Sequence, residues 1–427
     1  MNNLTVIKSK ALQLLKQNQI KSHQIEEYLL EQLYMNNQEN LPKIAIYADE
    51  IRRQFLEEEN HLQLTTIAAA NSNIATEKSK GIENKIGCIT IPLGITTPMK
   101  ITGDHLNEKI TIPLATNEAA LIAGINRAIK ATNENNSITT TVQYKGMSRS
   151  VLLEFENILE ARTIAQQLEQ QPTINIFKET IAKHAEHTKF LSLTTYQIAN
   201  KLWIRFIFNT GEAMGMNSAT KYSSILVKKI KELYPEYKIN LLSLSGNLCV
   251  DKKVSNLNAI LGRGYTINAE ITINEKTIKQ IFNTTPEKIN KLNEWKNNIG
   301  SSLAGTIGNN AQAANIIAAI FAATGQDLAQ IGESSICFTT TEVKNTELHL
   351  TITLPSLTIG TLGGGCNRTT AKECLQILNC NKQDGNNTKK LAEIIGATVL
   401  CGELNLLATL TNEHELADSH IKLARGK

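Results

Sequence analysis

The stretch Ser245-Gly-Asn-Leu-Cys-Val-Asp-Lys-Lys253 places one carboxylate beside two ammonium groups, directly after the apolar run 239–244. Adjacent lysines repel each other and resist burial, so a fold that keeps them near its core usually needs an anion there. For Asp-Lys-Lys alone, a solvated turn with charged ends is the alternative. An anion-binding loop is therefore expected only if other segments of the chain support it.

The chain upstream of this stretch alternates strands and helices. Apolar alternation predicts strands at 151–155, 190–198, 202–208 and 239–244. Helical spacing predicts helices at 158–169, after Pro172 and at 218–234. This order is typical of a small ferredoxin-like sheet layered with helices. We expect residues 151–243 to be an inserted small domain, because chemistry-bearing motifs flank it on both sides.

The rest of the chain predicts a larger α+β body. Residues 1–60 show helical spacing and form a predicted helical N-terminal segment, and residues 61–150 and 244–427 form a predicted large, helix-rich catalytic domain. Within that domain we expect an exposed loop at 131–141, a buried helix at 304–324 and another at 394–410. The predicted fold class is therefore α+β, with a large domain, a small inserted domain and a helical N-terminal segment.

Composition limits the classes of function. A net charge of +4 among 427 residues does not indicate a nucleic-acid surface. The seven cysteines are odd in number and contain no C-x-x-C pair, which favours free thiols in a reducing cytosol over a disulfide or metal framework. No run reaches the ~20 apolar residues of a membrane span, and the N-terminus has no apolar signal region. A cytoplasmic protein without membrane, nucleic-acid or metal partners is expected.

Four further positions could carry chemistry or only structure. Thr210-Gly-Glu-Ala-Met-Gly-Met-Asn217 joins a strand to a helix, and its small residues and the helix N-terminus suit a phosphate, although a plain connection fits as well. Glu118 could complement a helix dipole. Asp327 could cap a short helix, and His420 could be a solvated residue near the C-terminus.

Together, these segments resemble the class I 3-hydroxy-3-methylglutaryl-coenzyme A (HMG-CoA) reductases. Ala213-Met-Gly-Met-Asn217 resembles their NADPH-binding D-A-M-G-M-N motif, with Glu212 in place of aspartate. The segment 82–94 resembles their E-N-V-I-G-x-x-x-I-P-x-G signature, and Gly325-Gln-Asp327 resembles their G-Q-D. The tail 415–425 and the glycine-rich 354–365 match as well, so the resemblance is nearly continuous from about residue 81 to the end.

The resemblance implies a set of site residues. The implied catalytic residues are Glu118, Lys252, Asp327 and His420. The implied cofactor-binding residues are Lys189, Glu212, Met214, Gly215, Met216, Asn217, Gly363 and Arg425. The implied substrate-binding residues are Arg149, Ser245, Asp251, Lys253, Lys296 and Asn315. The chain departs from the family at Glu212, at Lys189 for the usual arginine, at Gln312 for a common histidine, and at Gly426 for a regulatory phosphoserine of the animal enzymes.

The implied activity is the NADPH-dependent, two-step reduction of HMG-CoA to mevalonate and coenzyme A, a step of isoprenoid precursor biosynthesis. In this scheme Lys252 stabilises the oxyanion with help from Asp327, His420 protonates the thiolate, and Glu118 supplies the last proton. The family also implies a homodimer or higher homo-oligomer with its active site at the subunit interface. The alternatives are NAD-dependent oxidation of mevalonate in catabolism and a catalytically silent coenzyme A-binding protein.

Overall fold

Among its described residues, the N-terminal unit, Met1–Pro92, contains three α-helices. They are α1 Asn3–Lys16, α2 Ile25–Met35 and α3 Ile44–Asn60. Apolar residues spaced three or four apart bury one face of each helix in a core of their own, as Ile25, Leu29 and Leu33 do in α2. The structure, a computed structural model, describes residues 3–35, 44–65 and 82–424. The predicted helical character of residues 1–60 is confirmed over the described part.

The second unit, Leu93–Lys427, mixes strands and helices. Its strands are β1 Leu93–Ile95, β2 Met99–Gly103, β3 Asn107–Ile110, β4 Pro113–Ala115, β5 Ile138–Glu154, β6 Lys189–Ile198, β7 Lys201–Asn209, β8 Asn240–Ser243, β9 Gly264–Ile273, β10 Phe338–Lys344 and β11 Glu347–Leu357. Its α-helices are α4 Leu121–Asn135, α5 Ile158–Leu168, α6 Gln171–Ala182, α7 Met216–Leu233, α8 Asn256–Leu261, α9 Glu275–Phe282, α10 Pro286–Leu292, α11 Ser301–Ala304, α12 Ala313–Thr324, α13 Ile331–Ser334, α14 Thr369–Ile377, α15 Asn387–Leu410 and α16 Glu415–Ala424. A π-helix spans Asn293–Gly300, and 3₁₀ turns span Leu328–Gln330 and Gly364–Asn367.

The larger of two cores in this unit lies between a sheet and the long helix α15. The sheet runs in the order β10–β11–β9–β5–β2–β3, antiparallel except where β2 meets β5. Alternate residues of β9 and β11 point into the core, and the intervening positions are mostly polar. α15 is buried on nearly every side, and Gly396 allows it to approach β9, since a Cβ there would lie 2.4 Å from Ile267.

The prediction that the apolar segment near residue 400 is a buried helix is confirmed. In the described residues, α15 is the one helix long and apolar enough to cross a membrane, and 89% of its most apolar window is buried inside the protein. Its apolar surface is therefore covered by the protein's own strands and helices.

The second core lies around the C-terminal half of β5. Here the strands run in the order β8–β5–β7–β6, all antiparallel, and α5, α6 and α7 pack on the same core. Phe177, Phe190 and Phe206 meet edge to face, with ring centroids 5.8–6.4 Å apart. The strands and helices predicted between residues 158 and 243 are found within a few residues of their expected bounds.

Around β5, one sequence prediction is correct in type but too short, and another is wrong. The predicted strand 151–155 is only the end of a 17-residue strand that belongs to both sheets. The predicted exposed loop at 131–141 does not exist, because α4 continues to Asn135 and β5 begins at Ile138. Ala131 and Thr132 are buried, and the Asn135 side chain accepts a hydrogen bond from the backbone N–H of Asn274. Tertiary contacts thus override the polar composition of this segment.

The predicted helix 304–324 is also wrong at its start. α12 begins only at Ala313, and α11 ends at Ala304. Gly305 and Gly308, with φ of 69° and 91°, adopt a left-handed backbone that ends one helix and delays the next. The prediction of burial, made from the apolar composition, is confirmed, because Ile316, Ile320 and Phe321 are fully buried. The break between the two helices was not predicted.

Candidate active site

Lys252 and Asp327 lie in contact. Lys252 Nζ is 2.9 Å from Asp327 Oδ2, and the two side chains are 42% and 35% exposed. The other oxygen of Asp327, Oδ1, accepts a hydrogen bond from the backbone N–H of Ala329. Asp327 therefore caps the 3₁₀ turn Leu328–Gln330 with one oxygen and holds the ammonium with the other. A cation fixed in this way at a partly exposed surface can stabilise negative charge that develops on a bound substrate.

The backbone that carries Lys252 adopts an uncommon conformation. Asn247, Val250 and Lys252 all have positive φ, at 66°, 48° and 63°. For residues with a Cβ, a left-handed backbone costs about 1–2 kcal/mol each, so surrounding contacts must hold it. One such contact is on Lys252 itself, whose backbone N–H donates to Glu333 Oε2 at 3.0 Å.

Asp251 lies beside Lys252 among several cations and amides. Its Oδ1 accepts from Arg263 Nη2 at 3.0 Å and from Gln330 Nε2 at 2.9 Å, and its Oδ2 is 3.8 Å from Arg149 Nη1. Burial alone raises the pKa of Asp251, but the Arg263 charge and neighbouring polar groups outweigh it and hold the pKa below its ordinary value. The Asp251 carboxyl therefore stays ionised near neutral pH.

Arg263 is fully buried and joins three segments of the site. Besides Asp251, it contacts Glu333 Oε1 through Nη1 and Met216 Sδ through Nη2, the latter at 2.7 Å. Burial raises the pKa of Glu333, whereas the charge of Arg263 acts in the opposite direction. Arg263 lies between two glycines whose φ of 71° and contacts with the chain 355–358 exclude a Cβ. The sequence Gly-Arg-Gly thus allows a long cation to enter a tightly packed interior.

The loop Thr210–Asn217 connects β7 to α7 and packs on the glycine-rich segment after β11. Gly215 has φ of 87° and caps α7, and a Cβ there would lie 2.3 Å from the Thr210 side chain. Ala213 forms a parallel bridge with Leu362, next to Gly363. Lys189 begins β6 directly opposite Asn209, at the entrance to the loop. The structure therefore brings most of the predicted cofactor residues, those at 189, 212–217 and 363, to one region.

Glu212 replaces the aspartate of the family motif, and its carboxylate accepts hydrogen bonds from other residues of the protein. Oε1 accepts hydrogen bonds from the backbone N–H groups of Asn387 and Thr388, the first two residues of α15, and Oε2 accepts from Asn387 Nδ2 at 3.1 Å. Its backbone carbonyl accepts from Thr361 N–H at 2.8 Å. A carboxylate at this position complements the positive end of a helix.

Lys296, Gln312 and Asn315 are placed around the N-terminus of α12. Lys296 lies in the π-helix, and burial lowers its pKa while Glu403 acts to raise it. π-Helices are frequent at functional sites. Gln312 Nε2 donates to the carbonyl of Gly402 at 2.7 Å, and Asn315 Nδ2 is 3.4 Å from Gln312 Oε1. The Glu403 carboxylate accepts from the backbone N–H groups of Ala311 and Gln312, so the glutamine that replaces the family's histidine is held rigidly.

The remaining predicted residues are exposed or lie outside the description. Glu118 is exposed, and among the described residues no hydrogen bond or ion pair joins it to Lys252 or Asp327. It precedes α4, which begins at Leu121, so it does not lie in the first helical turn. Ser245 and Lys253 are exposed on the loop. His420 lies on α16 with its side chain outside the described residues, and Arg425 lies outside them altogether.

Sequence reasoning missed four buried residues. Arg263, Glu333 and Gln330 each contact Asp251 or Lys252, and Glu403 interacts electrostatically with Lys296. For Arg263 the one sequence signal is its position between two glycines, directly before an alternating apolar strand. For Glu333 and Gln330 no local signal distinguishes them from exposed polar residues of a short helix.

Comparisons with known proteins identify relatives over most of the chain. The sequence model of the hydroxymethylglutaryl-coenzyme A reductase family matches residues 48–425. The 3-hydroxy-3-methylglutaryl-coenzyme A reductase of Pyrococcus abyssi is 40% identical over 412 residues, covering 95% of this chain and 97% of the relative. That of Aeropyrum pernix is 40% identical over 379 residues, covering 88% and 89%.

Among solved structures, the class II 3-hydroxy-3-methylglutaryl-CoA reductase from Streptococcus pneumoniae bound to NADPH in open conformations superposes with a TM-score of 0.62. The match covers 84% of this chain and 96% of that one at 18% identity, which establishes a shared mixed α and β fold. The family match over most of the chain and the 40% identity to complete relatives lead to one assignment: the chain belongs to the hydroxymethylglutaryl-coenzyme A reductase family of oxidoreductases.

Proposed function

We propose that this protein is a class I enzyme that reduces 3-hydroxy-3-methylglutaryl-CoA to mevalonate and coenzyme A with NADPH, in two successive reductions. The observation that carries the proposal is the Lys252–Asp327 contact of 2.9 Å, on a loop beside Asp251 and Lys253, in a chain of this family. The class I assignment is supported by the Ala213-Met-Gly-Met-Asn217 motif.

Lys252 has the central role in the first reduction. As the thioester carbonyl becomes tetrahedral, negative charge develops on its oxygen, and a fixed ammonium stabilises that charge. Asp327 holds the ammonium in place, because its second oxygen is anchored to the backbone at Ala329. Arg149, whose Nη1 lies 3.8 Å from Asp251 Oδ2, and Lys296 are proposed to bind the carboxylate end of the substrate. Lys253, which donates to the Asp251 carbonyl, is proposed to bind further substrate charge.

Proton transfers complete the scheme. The leaving coenzyme A thiolate needs a proton near neutral pH, which a histidine can provide, and His420 is the proposed donor. The aldehyde formed in the first reduction becomes an alcohol in the second, for which Glu118 is the proposed proton source. Because Glu118 is exposed within one protein chain, a neighbouring subunit that covers it would give it the required shielding from water. A homodimer or higher homo-oligomer is therefore part of the proposal.

The residues at the proposed cofactor site fit NADPH. When bound, NADPH supplies the hydride for each reduction. Gly363 and Gly364 have φ of 79° and 49°, and a Cβ on either would meet nothing within 4 Å, so the backbone there is open to close approach by a ligand. Met216 and Asn217 open α7, whose N-terminus suits a phosphate, and Lys189 and Arg425 would pair with further phosphate charge. The loop 212–217 is therefore proposed to bind the cofactor. Glu212 fixes this loop to the N-terminus of α15 through the N–H groups of Asn387 and Thr388.

Two further features belong to the proposal. The strand order β8–β5–β7–β6 with helices between the strands supports an inserted ferredoxin-like, cofactor-binding domain at 151–243, within a large domain at 61–150 and 244–427. The six buried cysteines form no disulfide, which supports a cytoplasmic location; they are Cys249, Cys337, Cys366, Cys374, Cys380 and Cys401.

The test follows NADPH absorbance with HMG-CoA as substrate. Wild-type protein is expected to oxidise two NADPH per HMG-CoA, and Lys252→Ala to lose at least about 10²-fold in kcat, because the oxyanion loses its cation. His420→Ala should slow the reaction at the thioester stage. Lys276→Ala, an exposed lysine on α9, is the matched control and should retain full activity.

Three results would contradict the proposal. Absence of NADPH oxidation by the wild type would remove the reductase function, and wild-type activity in Lys252→Ala would remove the assigned electrophile. Faster turnover of mevalonate with NAD⁺ than of HMG-CoA with NADPH would assign the protein to mevalonate catabolism instead. Replacing NADPH by NADH in the same assay tests whether Lys189 selects the phosphorylated cofactor.

A further inference from the structure

One short helical stretch, residues 327–334, contacts Lys252 through a carboxylate near each of its two ends. At its start, Asp327 Oδ2 contacts the side-chain ammonium at 2.9 Å. Near its end, Glu333 Oε2 accepts the backbone N–H of the same lysine at 3.0 Å. The side chain and the main chain of Lys252 are thus fixed by two carboxylates of a single segment.

The Glu333 carboxylate has a fully specified geometry. Its side chain is completely buried, with Oε1 accepting from Arg263 Nη1 and Oε2 accepting from the Lys252 N–H. Both oxygens act as acceptors, and a carboxylate buried away from bulk solvent depends on these two donors. Arg263 is itself completely buried and also contacts Asp251 and Met216. It therefore connects Glu333, through direct contacts, to the loop that carries Asp251 and to the start of α7.

We propose that Glu333 is a positioning residue for the reduction, which with Arg263 as its counter-ion fixes the left-handed backbone at Lys252 and thereby the position of the ammonium. The inference rests on the proposed function. Lys252 has a Cβ and a φ of 63°, a backbone conformation that is sparsely populated unless surrounding contacts stabilise it. Loss of the Glu333 contact frees the backbone at 252 and lets the ammonium move away from the developing oxyanion.

Glu333→Gln tests this with almost no change in shape. A glutamine offers one acceptor and one NH₂ group, so either Arg263 or the Lys252 N–H must face a donor. We expect kcat to fall by about 10²-fold, the effect of displacing a catalytic group by roughly 1 Å, while KM for HMG-CoA and for NADPH stays close to wild type. Glu333→Asp, which keeps two acceptors and the charge, should recover part of the lost kcat.

The matched control is Glu393→Gln, which also neutralises a fully buried glutamate of the same unit but lies on α15 and contacts the backbone of His105. It should retain wild-type kcat. If Glu333→Gln does not fold, Arg263→Lys provides the second variant, since it keeps a buried cation but loses the forked contacts. Wild-type kcat in either folded variant, or a fall in thermal stability without a fall in kcat, would overturn the proposal.

Hydrogen–deuterium exchange gives a measurement that does not depend on turnover. In the peptide spanning residues 247–256, Glu333→Gln should take up deuterium faster than wild type, and Glu393→Gln should not. Unchanged uptake in Glu333→Gln would show that Glu333 does not hold this backbone. Failure of the wild type to oxidise NADPH would instead contradict the proposed reaction, and exchange would still decide whether the contact orders Lys252.

Discussion

At the scale of single residues, the site depends on carboxylates whose two oxygens have different partners. Asp327 holds an ammonium with one oxygen and a backbone N–H with the other, and Glu333 pairs with a guanidinium and a backbone N–H. Glu212 follows the same rule at the start of α15. Lys252 and Asp327 could be proposed as site residues from the sequence, because they lie in motifs that resemble those of the family. Glu333 could not, because its role arises only from long-range contacts, and Arg263 offered no more than its position between two glycines.

The length of the Glu212 side chain gives a prediction about stability. Glu212→Asp withdraws the carboxylate by one methylene from the N–H groups of Asn387 and Thr388, and should lower the free energy of unfolding by about 1 kcal/mol, as loss of a helix N-cap does. Glu212→Gln keeps the length but removes the charge from the helix N-terminus, and should cost about 0.5 kcal/mol. Urea unfolding measures both values. Wild-type stability in the aspartate variant would show that the extra methylene has no structural purpose here.

At the scale of elements, helix ends determine where the site residues lie. The sequence correctly indicated the type of most elements but not their ends, because apolar spacing continues across breaks such as Gly305–Gln312. The site depends on those ends, since Asp327 follows the C-cap of α12 by two residues and Met216 starts α7. An error of a few residues in a helix boundary is therefore small for the fold and large for the site.

Two helix-capping glycines test this dependence as a matched pair. Gly305 and Gly325 both have a left-handed backbone, with φ of 69° and 67°. A Cβ on Gly305 would meet nothing within 4 Å, whereas one on Gly325 would lie 2.3 Å from the Gly365 carbonyl oxygen. Gly305→Ala should cost about 1 kcal/mol of unfolding free energy, the ordinary penalty of a left-handed alanine.

Gly325→Ala should cost several times more, because the clash is with backbone, and it should lower kcat as well, because Asp327 lies two residues away. Thermal unfolding and the NADPH assay measure the two effects. Equal destabilisation by both substitutions would show that the 364–366 backbone yields without strain.

At the scale of the whole molecule, α15 concentrates buried charge in the main core. Glu393 and Glu403 are both fully buried on it, and burial raises the pKa of Glu393 to about 7. The overall α and β character and the burial of this helix were predictable from composition. The two-sheet path of β5 was not, because its residues 138–146 and 147–154 pair with different partners that are remote in sequence.

The raised pKa of Glu393 predicts how stability changes with pH. Because the folded state binds this proton more tightly than the unfolded chain, the contribution to stability is complete below about pH 4.5 and is lost as pH rises through 7. Glu393→Gln should therefore raise the free energy of unfolding at pH 8 by at most about 3 kcal/mol, and leave it nearly unchanged at pH 4.5. Chemical unfolding at both pH values measures this, with the exposed Glu373→Gln as control. A glutamine variant less stable than wild type at pH 8 would contradict the prediction.

β5 passes without interruption through both sheets, and its register with β9 shifts at Gly146, whose φ is 82°. The two sheets are therefore connected to each other through one continuous strand. A rotation of one sheet relative to the other would change the backbone of β5, and Gly146 can change its φ and ψ at the lowest steric cost. Arg149, three residues beyond Gly146 on the same strand, would move with such a rotation. A change in the angle between the two sheets would therefore change the position of a side chain that is proposed to bind the substrate.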